Sequence, residues 1–271
     1  MALNVPGPAA LARAVAEGAR AIKIEPPWGD PLATLCRPWY DDLHQGIAIE
    51  QIDLKSIAGH TRVLELLEDT DIFFASHRPS ALSRLRLDAA TLAPDFPELR
   101  HVNIVGDTAN PEEAGHDLTY QARAGLLPAL SGVEGRRDLP LTLIADMVGA
   151  ERAHAVLKDV MHHPGAVRVV GLFDALRDLA GPLYNGLTVP GHHLGGGNPA
   201  YGIYAARDGA IAVAALEPHF RSGLYEGLGL PDGADPRAVF ATKTAAEWEA
   251  WAAERDLPLV ALKGYGPPEN S

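Results

Sequence analysis

Cysteine is almost absent from this chain. Its 271 residues hold one, Cys36, so neither an internal disulfide nor a cysteine-built metal centre can form. A reducing cytoplasm is the expected setting. Cys36 has no acid–base motif around it, which makes it a poor candidate nucleophile. Basic side chains are also scarce, 23 against 35 acidic ones, for a formal charge of −12. That balance excludes broad nucleic-acid binding, which needs a basic field over the contact surface. It leaves room for a small anionic ligand, since a few basic groups in one cleft suffice. No apolar run reaches the length of a membrane span. The first 18 residues lack the basic start and continuous apolar core of a secretory signal. Also missing are the G-x-S-x-G elbow, the P-loop and H-E-x-x-H. Gly195-Gly-Gly197 does not match the dinucleotide pattern G-x-G-x-x-G. The pairs His162-His163 and His192-His193 have no acidic partner motif, so no metal site is expected.

Apolar residues make up 47% of the chain, enough for a substantial core. In the first half, short apolar runs (Ala21 to Glu25, Ile47 to Leu54, Asp71 to Ala75, His101 to Val105) alternate with amphipathic stretches. One helix is expected from Pro8 to Glu17, and another after Ser56, a good N-cap. Further helices are expected from Asp117 towards Gly125 and across Leu139 to Met161, the latter as one long helix or two short ones. A strand follows at Ala166 to Leu172. Alternation at this spacing predicts a parallel sheet with covering helices. From Leu183 to Pro199 the chain is rich in Gly, Pro and His and reads as a linker. Asp208-Gly209, between two apolar runs, is a hairpin signal. The expected fold class is α/β: a Rossmann-like parallel-sheet large domain over 1–184, a linker over 185–199 and a smaller α+β domain over 200–271.

Four segments carry the chemistry when read together: Ala21-Ile-Lys-Ile-Glu-Pro-Pro-Trp-Gly-Asp-Pro31, Ile52-Asp-Leu-Lys-Ser56, Gly115-His-Asp-Leu-Thr-Tyr-Gln-Ala122 and Ala215-Leu-Glu-Pro-His-Phe220. Ser76-His-Arg-Pro79 and Leu143-Ile-Ala-Asp-Met147 fit the same set. In this order the set resembles the family III CoA-transferases, also called the carnitine dehydratase and bile-acid-inducible family, over about Asn4 to Leu259. His116 before Asp117, and the Leu-Glu-Pro-x-Phe segment holding Glu217, resemble the α-methylacyl-CoA racemase branch. The resemblance implies a catalytic set of His116, Asp117, Asp146 and Glu217, with His116 paired to Asp146 and Asp117 to Glu217. It implies coenzyme A contacts from Arg78 first and Lys55 next, with Lys23 and Arg84 weaker, and with Glu25 and Pro26 lining the same cleft. It gives the Gly-rich loop from Gly195 to Tyr201 a place near the acyl group. It implies no tightly bound cofactor, coenzyme A being part of the substrate, and a homodimer. The strand before Pro6-Gly-Pro8 is short for the family, and the long C-terminal region that interlocks two subunits has no counterpart after Leu262.

Inverting a carbon beside a thioester carbonyl means removing its weakly acidic proton on one face and returning one on the other. A neutral imidazole and a carboxyl group on opposite faces would serve, each with a partner tuning its proton affinity. Backbone amides near Asp117 would receive the enolate oxygen. Taken singly, Asp117, Asp146 and Glu217 read equally as helix caps, and His116 as a turn residue. Two other functions stand beside racemisation. One is CoA transfer with Asp146 as nucleophile; the other is a shortened paralogue that binds CoA thioesters without turning them over.

Overall fold

The structure, a computed structural model, describes residues 1–127 and 139–264. In chain order its elements are α1 (Pro6–Ala16), β1 (Ile22–Glu25), α2 (Pro31–Leu35), α3 (Arg37–Leu43), β2 (Ala48–Gln51), α4 (Ile57–Leu67), β3 (Ile72–Ala75), α5 (Pro79–Arg84), α6 (Ala89–Leu92) and β4 (Arg100–Val105). They continue with α7 (Asp117–Arg123), α8 (Ile144–Val160), β5 (Val167–Gly171), α9 (Leu172–Leu179), α10 (Gly181–Tyr184), a π-turn (His193–Gly197), β6 (Tyr201–Ala205), β7 (Ala210–Ala214), α11 (Pro218–Leu228), α12 (Arg237–Phe240), α13 (Ala245–Ala253) and β8 (Leu259–Ala261). The α/β class expected from the alternation is the one found. β1 and β2 pair in parallel, and β3, β4 and β5 form a second parallel sheet in that order. β4 is buried at four of its six positions, the mark of a strand covered on both faces.

Two compact units divide the chain, Met1–Ala180 and the part from Gly181 onward. In the first, α8 packs against α1 and α9. Its buried face is built from Ala145, Gly149, Ala150, Ala153, Leu157 and Val160, mostly small residues at helical spacing. A methyl group on Gly149 would run into the Leu172 side chain. The second unit carries the antiparallel sheet β6–β7–β8 over a core that includes Leu224, Phe240 and Trp248.

Local differences from the sequence reading have physical causes. The helix expected across Leu139 to Met161 starts at Ile144, because the amides of its first turn are received by a side chain from another element. Between the apolar runs at Ala21 to Glu25 and Ile47 to Leu54, the chain forms two helices, α2 and α3. Asp30 accepts from the Leu32 amide, with Pro31 at the first helical position, a strong start signal. The stretch over 185–199 is built into the second unit: Asn198, 5% exposed, accepts from Arg221 of α11 and from the Ala200 amide. Ser56 does cap α4, accepting from the Gly59 amide.

Candidate active site

β4 runs through Val105 to Gly106, and the chain returns to the same end of the sheet at Gly115. There α7 begins, with His116 as its N-cap in extended conformation and Asp117 as its first residue. The Thr119 hydroxyl receives the His116 amide at 3.0 Å, which fixes the entry of the chain into the helix. His116 is exposed and Asp117 is 5% exposed.

Asp117 is the hub. One of its oxygens, Oδ1, accepts from the backbone amides of Ala145 at 2.7 Å and Asp146 at 3.2 Å. The other accepts from Gln121 Nε2 at 2.6 Å. The carboxylate thus caps α8 from outside that helix, satisfying amides that have no partner within it. Asp146, in the first turn of α8, is half-buried, and its carboxylate makes no hydrogen bond among the described residues. Burial, then the neighbouring Asp117 charge, push its pKa up to about 7. Two close carboxylates rarely ionise together. Asp146 is therefore poised to hold or release a proton near neutral pH.

The hydrogen bonds of Asp117 go to Gln121 and to the first turn of α8, which holds Asp146. His116 and Asp146 form no hydrogen bond or ion pair among the described residues. Glu217 is exposed and precedes α11 in the second unit.

The coenzyme A candidates also separate. Lys55 lines an open hollow of about 620 Å³ together with Arg84, Arg86, Ser56, His60 and Thr61, and no acidic residue lines it. Arg86 was not anticipated; its signal is the Arg84-Leu-Arg86 run at the end of α5. Arg78 is exposed as the residue preceding α5 and does not line the hollow. Pro26 is half-buried and also outside it. Glu25 and Lys23 correct the sequence reading outright, being 3% and 1% exposed. The Lys23 ammonium lies 2.9 Å from Glu25, 2.5 Å from Asp30 and 2.7 Å from His44 Nε2, and Tyr40 donates to Glu25 at 2.8 Å. Glu25, Asp30 and His44 are grouped closely enough to ligate a metal, but the ammonium already holds that position. Burial keeps the His44 pKa below its usual value. The cluster anchors the turn after β1, and its single ammonium is shared by two carboxylates and His44, so it has no cation to offer a phosphate.

Comparison with known proteins follows the same lines. The model of CoA-transferase family III matches residues 1–265. The chain is 28% identical over 211 residues to a CaiB/baiF CoA-transferase family protein of Caenorhabditis elegans, covering 71% of this chain and 62% of that one. It is 28% identical over 239 residues to the mouse (Mus musculus) α-methylacyl-CoA racemase, covering 73% and 60%. To the Homo sapiens α-methylacyl-CoA racemase it is 26% identical over 285 residues, covering 90% and 70%. The chain therefore spans about three-fifths of the length of the first two relatives. The crystal structure of Rv3272 from Mycobacterium tuberculosis superposes with a TM-score of 0.84 at 20% identity, over 97% of this chain and 83% of that one. That likeness shows the fold.

Proposed function

The chain belongs to CoA-transferase family III, and from that premise we propose that it is an acyl-CoA racemase or epimerase. It would invert the α-carbon of a 2-methylacyl-CoA by proton transfer through an enolate. The observation that carries this reading is the Asp117–Asp146 arrangement beside His116. A carboxyl group with a pKa of about 7 serves as base in one direction and acid in the other. A carboxylate built to attack a thioester must instead stay ionised. In this reading Asp146, held by Asp117, handles the proton on one face, and the exposed imidazole of His116 handles it on the other. Glu217 stays in the set on the family resemblance alone. The phosphates of coenzyme A would enter the hollow of Lys55, Arg84 and Arg86, with Arg78 at its approach, and the enzyme would work as a homodimer.

CoA transfer is the second reading, favoured by the position of the Asp146 carboxylate, which has no hydrogen bond among the described residues, at the first turn of a helix. Incubation with a 2-methylacyl-CoA in heavy water, with and without an acceptor carboxylate, separates the two. Deuterium entering the α-position supports proton transfer, with a rate that declines below about pH 7 as Asp146 becomes protonated. Thioester exchange that depends on the acceptor, without deuterium uptake, overturns it. Neither outcome would leave a protein that binds CoA thioesters without turning them over.

A further inference from the structure

Tyr120 sits on α7, one turn beyond Asp117, and is 4% exposed. Its phenol lies against two glycines. A methyl group on Gly106, just past β4, or on Gly115, just before His116, would run into the Tyr120 ring end and hydroxyl. Both chain segments that frame the site are therefore glycine where the phenol passes, and the hydroxyl is held between them. The hydroxyl makes no hydrogen bond among the described residues and is not one of their fully enclosed unpartnered polar atoms, so it keeps an opening to solvent. Burial, then the Asp146 carboxylate, raise its proton affinity above the ordinary tyrosine value, so it stays a donor. A donor whose ring is packed against Gly106 and Gly115, whose hydroxyl is open and has no acceptor among the described residues, and which feels the Asp146 charge, is placed to meet an acceptor that arrives with the ligand.

We propose that Tyr120 is a further catalytic residue, its hydroxyl donating a hydrogen bond to the thioester oxygen that turns anionic when Asp146 takes the α-proton. This rests on the acyl-CoA reading above. In that step the α-carbon–hydrogen bond breaks and an oxygen–hydrogen bond forms on Asp146. The electron pair moves through the carbonyl to its oxygen. Negative charge thus leaves the carboxylate and appears on the oxygen to which the phenol would donate. The donor is stronger for the enolate than for the ground-state thioester, which is the condition for lowering the barrier.

The test is Tyr120→Phe in the full chain. The ring that fills the glycine cradle is retained, so the variant should melt with the wild type. With 2-methyldecanoyl-CoA in heavy water, kcat for α-proton exchange should fall by about 10²-fold, with KM little changed. Acetoacetyl-CoA, whose enolate is stable, supplies a readout without turnover. The variant should bind it at least about tenfold more weakly by calorimetry, while the affinity for free coenzyme A is unchanged. A variant that exchanges and binds like the wild type overturns the proposal and leaves the acyl-CoA reading intact. A wild-type protein that neither exchanges the α-proton nor binds acetoacetyl-CoA overturns that reading, and the proposal with it.

Discussion

Asp146 is half-buried beside a second carboxylate, and its protonation would tie the proposed activity to stability. Its pKa in the folded protein is about 7, against an ordinary value of 3.8, so folding favours the protonated form. The sign follows from linkage: stability is greatest below the unfolded value and declines as the pH rises from about 4 to about 7, where the folded carboxyl ionises. Asp146→Asn removes the ionisation and keeps the shape. After discounting for its partial exposure, the variant should be more stable than wild type by about 1–2 kcal/mol at pH 8. At pH 4 the two should be nearly equal. Urea unfolding at both pH values checks this, and a variant that is less stable at pH 8 would remove the electrostatic account of the site. The same substitution should abolish α-proton exchange, an opposition of stability and activity often seen at functional residues. At the neighbouring glycines, Gly106→Ala should displace the Tyr120 phenol and reduce exchange at least as much as Tyr120→Phe does.

Helix α8 is held at its first turn by a side chain from α7, so the two elements share one carboxylate. Asp117→Ala leaves the Ala145 and Asp146 amides without their acceptor and should destabilise the protein by about 1–3 kcal/mol. Asp117→Asn keeps an acceptor oxygen and removes the charge. It should cost less stability, while lowering the Asp146 pKa towards the ordinary carboxylate value. Carboxyl carbon NMR titration of Asp146 distinguishes this from a simple loss of helix, because a merely structural cap would leave that pKa where it is. At the other end of the unit, β1 ends in the ion pair of Lys23 with Glu25 and Asp30. Lys23→Met would strand two carboxylates that are almost wholly buried, an imbalance that costs about 3–5 kcal/mol when one partner of a buried pair is removed. Denaturant unfolding should show that loss in the absence of any ligand.

The whole molecule carries a formal charge of −12, unfavourable for a polyanionic substrate at long range. On the proposed reading, binding of coenzyme A would depend on a local reversal of sign, and the hollow of Lys55, Arg84 and Arg86, lined by no acidic residue, would provide one. Arg86→Ala and Lys55→Ala should each weaken coenzyme A binding by about tenfold, near the upper end of what partly exposed charge pairs contribute. The wild-type affinity should decline with added salt more steeply than that of either variant. Calorimetry at two ionic strengths tests both statements, and an affinity indifferent to both substitutions would move the nucleotide elsewhere. Among the described residues no helix is long and apolar enough to cross a membrane.

Period and punctuation made much of this protein legible in one dimension. The strands His101 to Val105 and Ala166 to Leu172, the Ser56 cap and the hairpin at Asp208-Gly209 depend on near neighbours, where local propensity and burial agree. The residues at 116, 117 and 146 could be named as candidates because their segments carry the family pattern. What they touch was not legible. Asp117 has its partners 28 and 29 residues further along, and nothing local distinguishes a side chain that caps its own helix from one that caps another. Glu25 and Lys23 read as cleft residues because charged side chains belong on surfaces by default. Only the packing of α3 over β1 buried them with Tyr40 and His44. Sequence alone determined the order of elements and the chemical types available at the site. Tertiary structure decided which of those groups share a space, because pairing and desolvation depend on distances that chain order does not record.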